Sequence, residues 1–219
     1  MYYDVIGCVS RVNELIDDIK AMHDKYSLIF SWICESKSIE MLNFKKITVA
    51  KTIQHNNAPI DKLRSIIIEY ISFLSENTTK DFRLDEKYCD FNFRTRIKNK
   101  ESIFHKLHAY TIGKEEGKIP LNKCLNDIYG MRIIVPNKEN IIDNINIESR
   151  GHKIKCLDSS KNGYFAHHVY FYHNNFHFPW ELQIWDAKDE INNIRIHQQY
   201  KQAYITKFNA YNESKLMWR

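Results

Sequence analysis

Apolar residues keep two different rhythms along this chain, and one gives way to the other near residue 85. In the first part Val12, Leu15, Ile16, Ile19, Met22 and Tyr26 recur at the spacing of a helical face, and Ile29, Phe30, Trp32 and Ile33 extend it. This predicts one long amphipathic helix, because side chains at i, i+3 and i+4 stack along one side of an α-helix. A second stripe, Leu63, Ile66, Ile67, Tyr70, Ile71 and Leu74, follows Pro59 and Asp61, residues suited to a helix start, and closes at Glu76-Asn77-Thr78-Thr79. Between the two, residues 36–56 are polar and mixed, with Lys45, Lys46 and Lys51, and read either as a short helix or as a mobile loop.

Beyond residue 85 short runs of β-branched and aromatic residues take over: Phe91 to Lys98, Met131 to Val135, His152 to Leu157, Tyr164 to Tyr172, and Phe176 to Ile184, the last broken or bulged at Pro179. Helical pattern separates some of them at Lys100 to Tyr110 and Ile141 to Ile147, and returns at Asp189 to Phe208. Strands that alternate with helices and then follow one another predict an α/β (α+β) fold, a mixed β-sheet of about five strands flanked by helices. The expected organisation is a single domain, with 1–85 as an N-terminal helical part covering one face and 86–219 as the sheet and a C-terminal helix.

Composition narrows the function classes. A chain of 219 residues with 43% apolar residues fills a real core, and a formal charge of +5 admits an anionic substrate or RNA without demanding one. Cys8, Cys34, Cys89, Cys124 and Cys156 are odd in number and scattered, with no CxxC pair, which argues against a disulfide framework or a zinc knot. The chain opens Met1-Tyr2-Tyr3-Asp4 without a basic segment and apolar run, and no stretch has membrane-spanning length, so the expectation is a soluble cytoplasmic protein.

The richest chemistry lies at Arg94-Thr95-Arg96-Ile97-Lys98-Asn99-Lys100-Glu101-Ser102, continuing to Lys106. On a strand Arg94, Arg96 and Lys98 share a face; Asn99 suits a helix N-cap; Ser102 and Lys106 then lie four apart on one helical face. Free helix amides and converging cations read as a triphosphate clamp, the alternative being a solvated basic face.

Four further features each carry two readings. Asp127, before Gly130 and Arg132, is either a turn residue or a magnesium ligand, since a hard cation takes carboxylate oxygens. Tyr164, after the Asn162-Gly163 turn signal, either packs or stacks on a nucleobase; Ala166 and His168 share its face, and His167 points the other way. His167 and His168 therefore make no zinc site, and His105 and His108, three apart on a helix, lack a clear third ligand. Glu181 and Gln183 alternate with Leu182 and Ile184, so Glu181 is either an ordinary exposed strand residue or a second metal ligand or general base. His197 and Tyr200-Lys201 on the last helix fit a surface or a core role equally.

Taken together and in order, over roughly residues 90–201, these segments resemble the synthetase domain of the RelA/SpoT family, in particular its small single-domain members. The family pattern R-x-K-x-x-x-S-I-x-x-K looks like Arg96, Lys98, Ser102, Ile103 and Lys106. Its D-[IL]-x-G-x-R is similar to Asp127, Ile128, Gly130 and Arg132. N-G-Y-R-S-x-H corresponds to Asn162, Gly163, Tyr164 and His168, E-x-Q-I-R-T to Glu181, Gln183 and Ile184, and a late H-x-x-x-Y-K, one residue shorter here, to His197, Tyr200 and Lys201.

The resemblance implies a nucleotidyltransferase-like fold and transfer of the β,γ-pyrophosphate of ATP to a ribose 3′-hydroxyl. It implies that Arg96 and Arg132 sandwich the adenine, that Lys98, Ser102 and Lys106 hold phosphates, and that Asp127 binds magnesium. Glu181 would bind or orient the metal and take the hydroxyl proton, while Tyr164 stacks on the acceptor base with His168 and Gln183 nearby. The departures fall on the acceptor side: Phe165 and Ala166 stand where the family has arginine and serine, Trp185 and Asp186 where it has arginine and threonine, and Lys161 is the one substitute cation. Fewer cations for GDP or GTP point to the toxic branch, whose acceptor is the 3′-terminal CCA adenosine of tRNA, with (p)ppGpp synthesis and a catalytically silent relative as alternatives. Lys45, Lys46 and Lys51 would then meet the tRNA backbone. With about 18 residues after Lys201, little is left for tetramer-forming helices. The expectation is a monomer held in check by an antitoxin.

Overall fold

The computed structural model describes residues 5–53, 58–78, 83–113, 116–200 and 202. The first apolar stripe forms α1 (Val5–Ser36), a short helix α2 (Val49–Ile53) follows, and the second stripe forms α3 (Ala58–Thr78). Then come α4 (Arg83–Lys87), β1 (Arg94–Ile97), α5 (Lys100–Ile112), α6 (Leu121–Cys124), β2 (Tyr129–Val135), α7 (Lys138–Asn144), β3 (Ile154–Asp158), β4 (Ala166–Phe171) and β5 (Trp180–Asp186). A last helix occupies 190–200; the remainder of the helix expected to reach Phe208, including Lys201, lies outside the described residues.

The strands form one mixed sheet in the order β1-β2-β5-β4-β3. β5 runs parallel to β2 and antiparallel to β4, while β1 and β3 pair antiparallel at the two edges. This is the mixed five-stranded sheet flanked by helices that the rhythm of the second part predicts.

Alternation divides the sheet into two unlike faces. Met131, Ile133 and Val135 of β2, Val169 and Phe171 of β4, and Trp180, Leu182 and Ile184 of β5 are buried on one. Helices α1 and α3 cover that face, as expected of the N-terminal part. Trp180 shows how: its Nε1–H donates to Tyr70 Oη on α3 at 2.6 Å, and its ring meets Tyr26 of α1 edge-on at 5.7 Å. Each Leu or Ile side chain withdrawn from water here stabilises the fold by about 1.5–3 kcal/mol. The other face carries Arg94, Arg96, Arg132, Glu181, Gln183, Trp185, His168 and Tyr170, and Ile196 of the last helix packs at its Trp185 end.

Among the boundaries that differ from expectation, three have a clear local reason. β5 begins at Trp180 and not at Phe176, because the preceding loop is tied to α1: His173 Nδ1 lies 2.7 Å from Asp24 Oδ1, His177 Nε2 2.8 Å from Ser31 Oγ, and His23 Nε2 3.0 Å from the Phe178 carbonyl. β1 begins at Arg94 and not at Phe91, since Asn92 adopts φ 50° and closes a short 3-10 turn over Cys89–Phe91. The helix expected at Ile141 starts at Lys138, capped by the Asn137 side chain, which accepts the Asn140 N–H. In 36–56, besides α2, Phe44 is buried and stacks on Phe178 at 4.4 Å, while Lys45, Lys46 and Lys51 are exposed. Trp32, counted with the apolar stripe, points outward at 69% exposure. Among the described residues no helix is long and apolar enough to cross a membrane.

Candidate active site

Asn99 breaks β1 from α5 in the way its side chain predicts: extended at φ −70° and ψ 157°, it accepts the Ser102 N–H at 2.9 Å. The cap sets the phase of α5, so half-buried Ser102 lies in the first turn and Lys106 one turn on, beside the end of β1. Lys98 and Lys106 then converge on Asp127. Lys106 Nζ lies 2.9 Å from Oδ1, and Lys98 Nζ pairs with Oδ2. All three side chains are largely withdrawn from water, at 18%, 13% and 15% exposure in the order Lys106, Lys98, Asp127. Burial opposes the charge on Asp127, but the ammonium groups of Lys106 and Lys98 outweigh it and hold the carboxyl well below the usual carboxylate range. The triad carries a net positive charge, and Asp127 is an ionic hub and not merely a turn residue.

Beside it the cations accumulate. Arg96 faces Gly130 and Arg94 faces Arg132 across the β1–β2 pair. Like charges directly opposite on antiparallel strands repel, which favours an anion between or above them. Arg132 lays its guanidinium over the Trp185 ring, 4.3 Å from the centroid, and its buried Nε has no hydrogen-bond partner among the described residues.

The second half of the site hangs on the Asn162-Gly163 turn. Both residues have positive φ, 51° and 84°, and Lys161 and Tyr164 exchange backbone hydrogen bonds at 2.8 and 2.9 Å, a two-residue hairpin turn. The turn delivers Tyr164 inward, 6% exposed, under the last helix. Its hydroxyl lies 3.0 Å from His168 Nε2, 3.1 Å from Trp185 Nε1 and 3.5 Å from Gln183 Oε1. Across the sheet Gln183 stands opposite both His168 and Arg132, and Glu181 opposite both Tyr170 and Gly130.

Glu181 is 5% exposed, so it is not an ordinary exposed strand residue. His168 Nδ1 lies 2.9 Å from Oε1, and Gln183 Nε2 donates to Oε2 at 2.8 Å. Burial raises its carboxyl, but the hydrogen bond and charge of His168 prevail and it lies below the ordinary range. The site therefore contains two ionised carboxylates on one face, each already held by its own partners.

The structure brings together Arg96, Lys98, Ser102, Lys106, Asp127 and Arg132 at the β1–β2 side, and Tyr164, His168, Glu181 and Gln183 at the β4–β5 side. Lys161 stands apart at the exposed turn. Asp186, which replaces the family threonine, is a structural cap: it accepts the Lys138 and Lys188 amides, each at 3.0 Å. Sequence reasoning missed Trp185, Tyr170 and His197 as members of the site. Trp185 was visible, since alternation from Glu181 and Gln183 puts it on their face; counting it only as a lost arginine hid that. Tyr170 likewise continues Tyr164, Ala166 and His168. His197 stacks on Trp185 at 5.4 Å and meets the Tyr164 ring edge-on at 5.0 Å. Burial, helped by the charge of Arg96, pulls its imidazole down to about 4.

No family model matches this chain, and no curated protein matches it. Among solved structures it is similar to the small alarmone synthetase 2 from Bacillus subtilis, at 20% identity and a TM-score of 0.38, over 64% of this chain and 81% of that one. It is also similar to a GTP pyrophosphokinase family protein from Streptococcus pneumoniae, at 19% identity and a TM-score of 0.39, over 66% and 78%. The small alarmone synthetase 1 from Bacillus subtilis bound to AMPCPP gives 18% identity and a TM-score of 0.36, over 68% and 82%. Likeness at this level carries no argument about activity, which rests on the residues themselves.

Proposed function

We propose that this protein is an ATP-dependent pyrophosphokinase that transfers the β,γ-pyrophosphate of ATP to a ribose 3′-hydroxyl, with the 3′-CCA adenosine of tRNA as acceptor. The observation that carries the reading is the meeting, on one sheet face, of a cationic strand–helix junction centred on Asp127 and a separately held carboxylate, Glu181. Pyrophosphoryl transfer needs that pairing: cations for the charge on the phosphates, and a base for the attacking hydroxyl.

In this reading Lys98, Ser102 and Lys106 bind the phosphates and Arg96 and Arg132 the adenine, Arg132 being already flattened on Trp185. When phosphates arrive, the two ammonium groups turn from Asp127 to the stronger anion. Glu181, an ionised carboxylate held by His168, Gln183 and Tyr170, accepts the proton of the hydroxyl.

The donor set suits magnesium. Asp127 is an ionised oxygen ligand, and among the described residues no three His, Cys, Asp or Glu side chains gather as a cage, so phosphate oxygens and water would complete the shell beside Asp127 and Glu181. Magnesium bound there supplies Lewis-acid neutralisation of the transferring group.

The tRNA reading rests on the acceptor side, where Trp185 and Asp186 have structural duties and Phe165 and Ala166 offer no cation. Such an enzyme would block aminoacylation, and a cell carrying it would need an antitoxin. One observation favours GDP or GTP: Lys155 lies opposite Tyr170 on the same face and offers a phosphate a charge. The test gives purified protein, magnesium and γ-labelled ATP either bulk tRNA or a GDP/GTP mixture, with Glu181→Gln as control. Label on tRNA that disappears in the variant is the expected result. Label on guanosine nucleotide alone would move the acceptor to Lys155 and Lys161, and label on neither would overturn the activity.

A further inference from the structure

Helix α1 is apolar on two sides, and the described residues cover only one of them. Its buried stripe, Val12, Leu15, Ile16, Ile19, Tyr26 and Phe30, packs behind the sheet. The stripe turned to solvent changes character halfway along. In the first half it carries Ser10, Glu14 and Asp17, and both carboxylates are already engaged: Glu14 pairs with Arg11 and Lys87, Asp17 with Arg150. In the second half it carries Ala21, Lys25, Leu28, Trp32 and Glu35, all exposed. Trp32 is 69% exposed and Leu28, one turn before it, 52%. Lys25 and Glu35, which bracket them, form no ion pair among the described residues.

We propose that this half of α1 is the contact between two copies of the chain, paired antiparallel. The five positions advance by four, three, four and three residues, the repeat that keeps a straight seam on a helix packed against another helix. The seam is self-complementary in one direction only. A two-fold axis at the level of Phe30 sets Leu28 against Trp32 of the second copy and Lys25 against its Glu35, and symmetry makes each pairing occur twice. In a parallel pair Lys25 would face Lys25 and Glu35 would face Glu35, which repels. Leu28 and Trp32 of both copies form a small apolar centre with charge pairs at its rim, the anatomy of a protein interface. The seam spans about 21 Å of helix. That is short against a permanent interface, so the dimer is weak and reversible. The contact lies behind the sheet, on the side away from Glu181, so it does not depend on the transfer reading and leaves both sites open. It replaces the monomer expected from the sequence.

Sedimentation velocity of the full chain over about 1 μM to 1 mM, the range of weak association, tests the pairing. A reducing buffer keeps the exposed Cys89 from linking copies. The wild-type sedimentation coefficient is expected to climb from the monomer value toward that of a dimer, and Trp32→Glu should hold it at the monomer value throughout. Lys25→Glu should weaken association about tenfold, since two attractive pairs become repulsive, and adding Glu35→Lys should bring it back. Misfolding cannot produce that recovery, so the charge variants decide the matter if Trp32→Glu does not fold. A wild-type monomer at every concentration would overturn the proposal, whatever segment of the chain or other protein then covers the seam. So would a dimer indifferent to Trp32→Glu, which puts the contact elsewhere, or a double variant no tighter than Lys25→Glu, which removes the antiparallel register.

Discussion

Asp127 and Glu181 are both carboxylates withdrawn from water and held below their ordinary range, yet their surroundings have little in common. Asp127 is held by two flexible ammonium groups, Glu181 by an imidazole and an amide that are themselves oriented by phenol and indole. Lysine charges are nearly directionless and can change partners when a stronger anion arrives; the network around Glu181 is directional and keeps its geometry. One half of the site is built to exchange, the other to stay.

The largest effect that would break this contrast is on transfer. Glu181→Gln is expected to lower the rate by about 10²–10⁴-fold, the usual worth of a general base, and to lower the urea midpoint only modestly, because the amide oxygen still accepts from His168 although its NH2 now meets the NH2 of Gln183. Rates measured at saturating ATP and tRNA check it; a rate within tenfold of wild type would remove Glu181 as the base. Next comes Asp127→Asn, which leaves two ammonium groups facing each other without their carboxylate. It is expected to cost about 3 kcal/mol of stability in urea unfolding, and Lys98→Met in the same chain should restore part of it.

The β4–β5 half should be the one that acid breaks. The His197 imidazole is pulled from an ordinary 6.5 to about 4 in the folded protein. The unfolded chain therefore binds the proton more readily, so this contribution is complete above about pH 6.5 and is lost as the pH falls toward about 4. Allowing for its partial exposure, the loss is on the order of 2 kcal/mol. The slope of the urea midpoint across that window should lessen in His197→Phe, while His23 and His177, which burial also holds at about 4, keep the rest of it. The smallest effect sharpens the other half: Asn99→Ala removes the cap of α5, at a cost of about 1 kcal/mol in thermal unfolding, and should loosen ATP before it slows transfer.

Legibility followed the range of the interactions. Asn99, Ser102 and Lys106 were readable because cap and helical face are set by neighbours within a turn, and the structure gives that cap as expected. The role of Asp127 was not, since its partners lie 29 and 21 residues away and a local reading left it open between turn and ligand. Glu181 was found by alternation, but its burial depends on the strands on either side. The run before Trp180 was read as strand on composition alone, and only contacts with Asp24, Ser31 and His23 of α1 make it a loop.

The sheet order has a consequence for how the chain comes off the ribosome. β1 pairs with β2 and β3 with β4, but the strand that joins those pairs, β5, is the last of the five in sequence and sits at the centre. Until residues 180–186 have been synthesised and released from the exit tunnel there are two separate ribbons, each with an open edge, and Asp127 has no Glu181 to stand beside. A nascent or prematurely terminated chain would thus be inert however much of it had folded, and the competent protein would arise in a single late event.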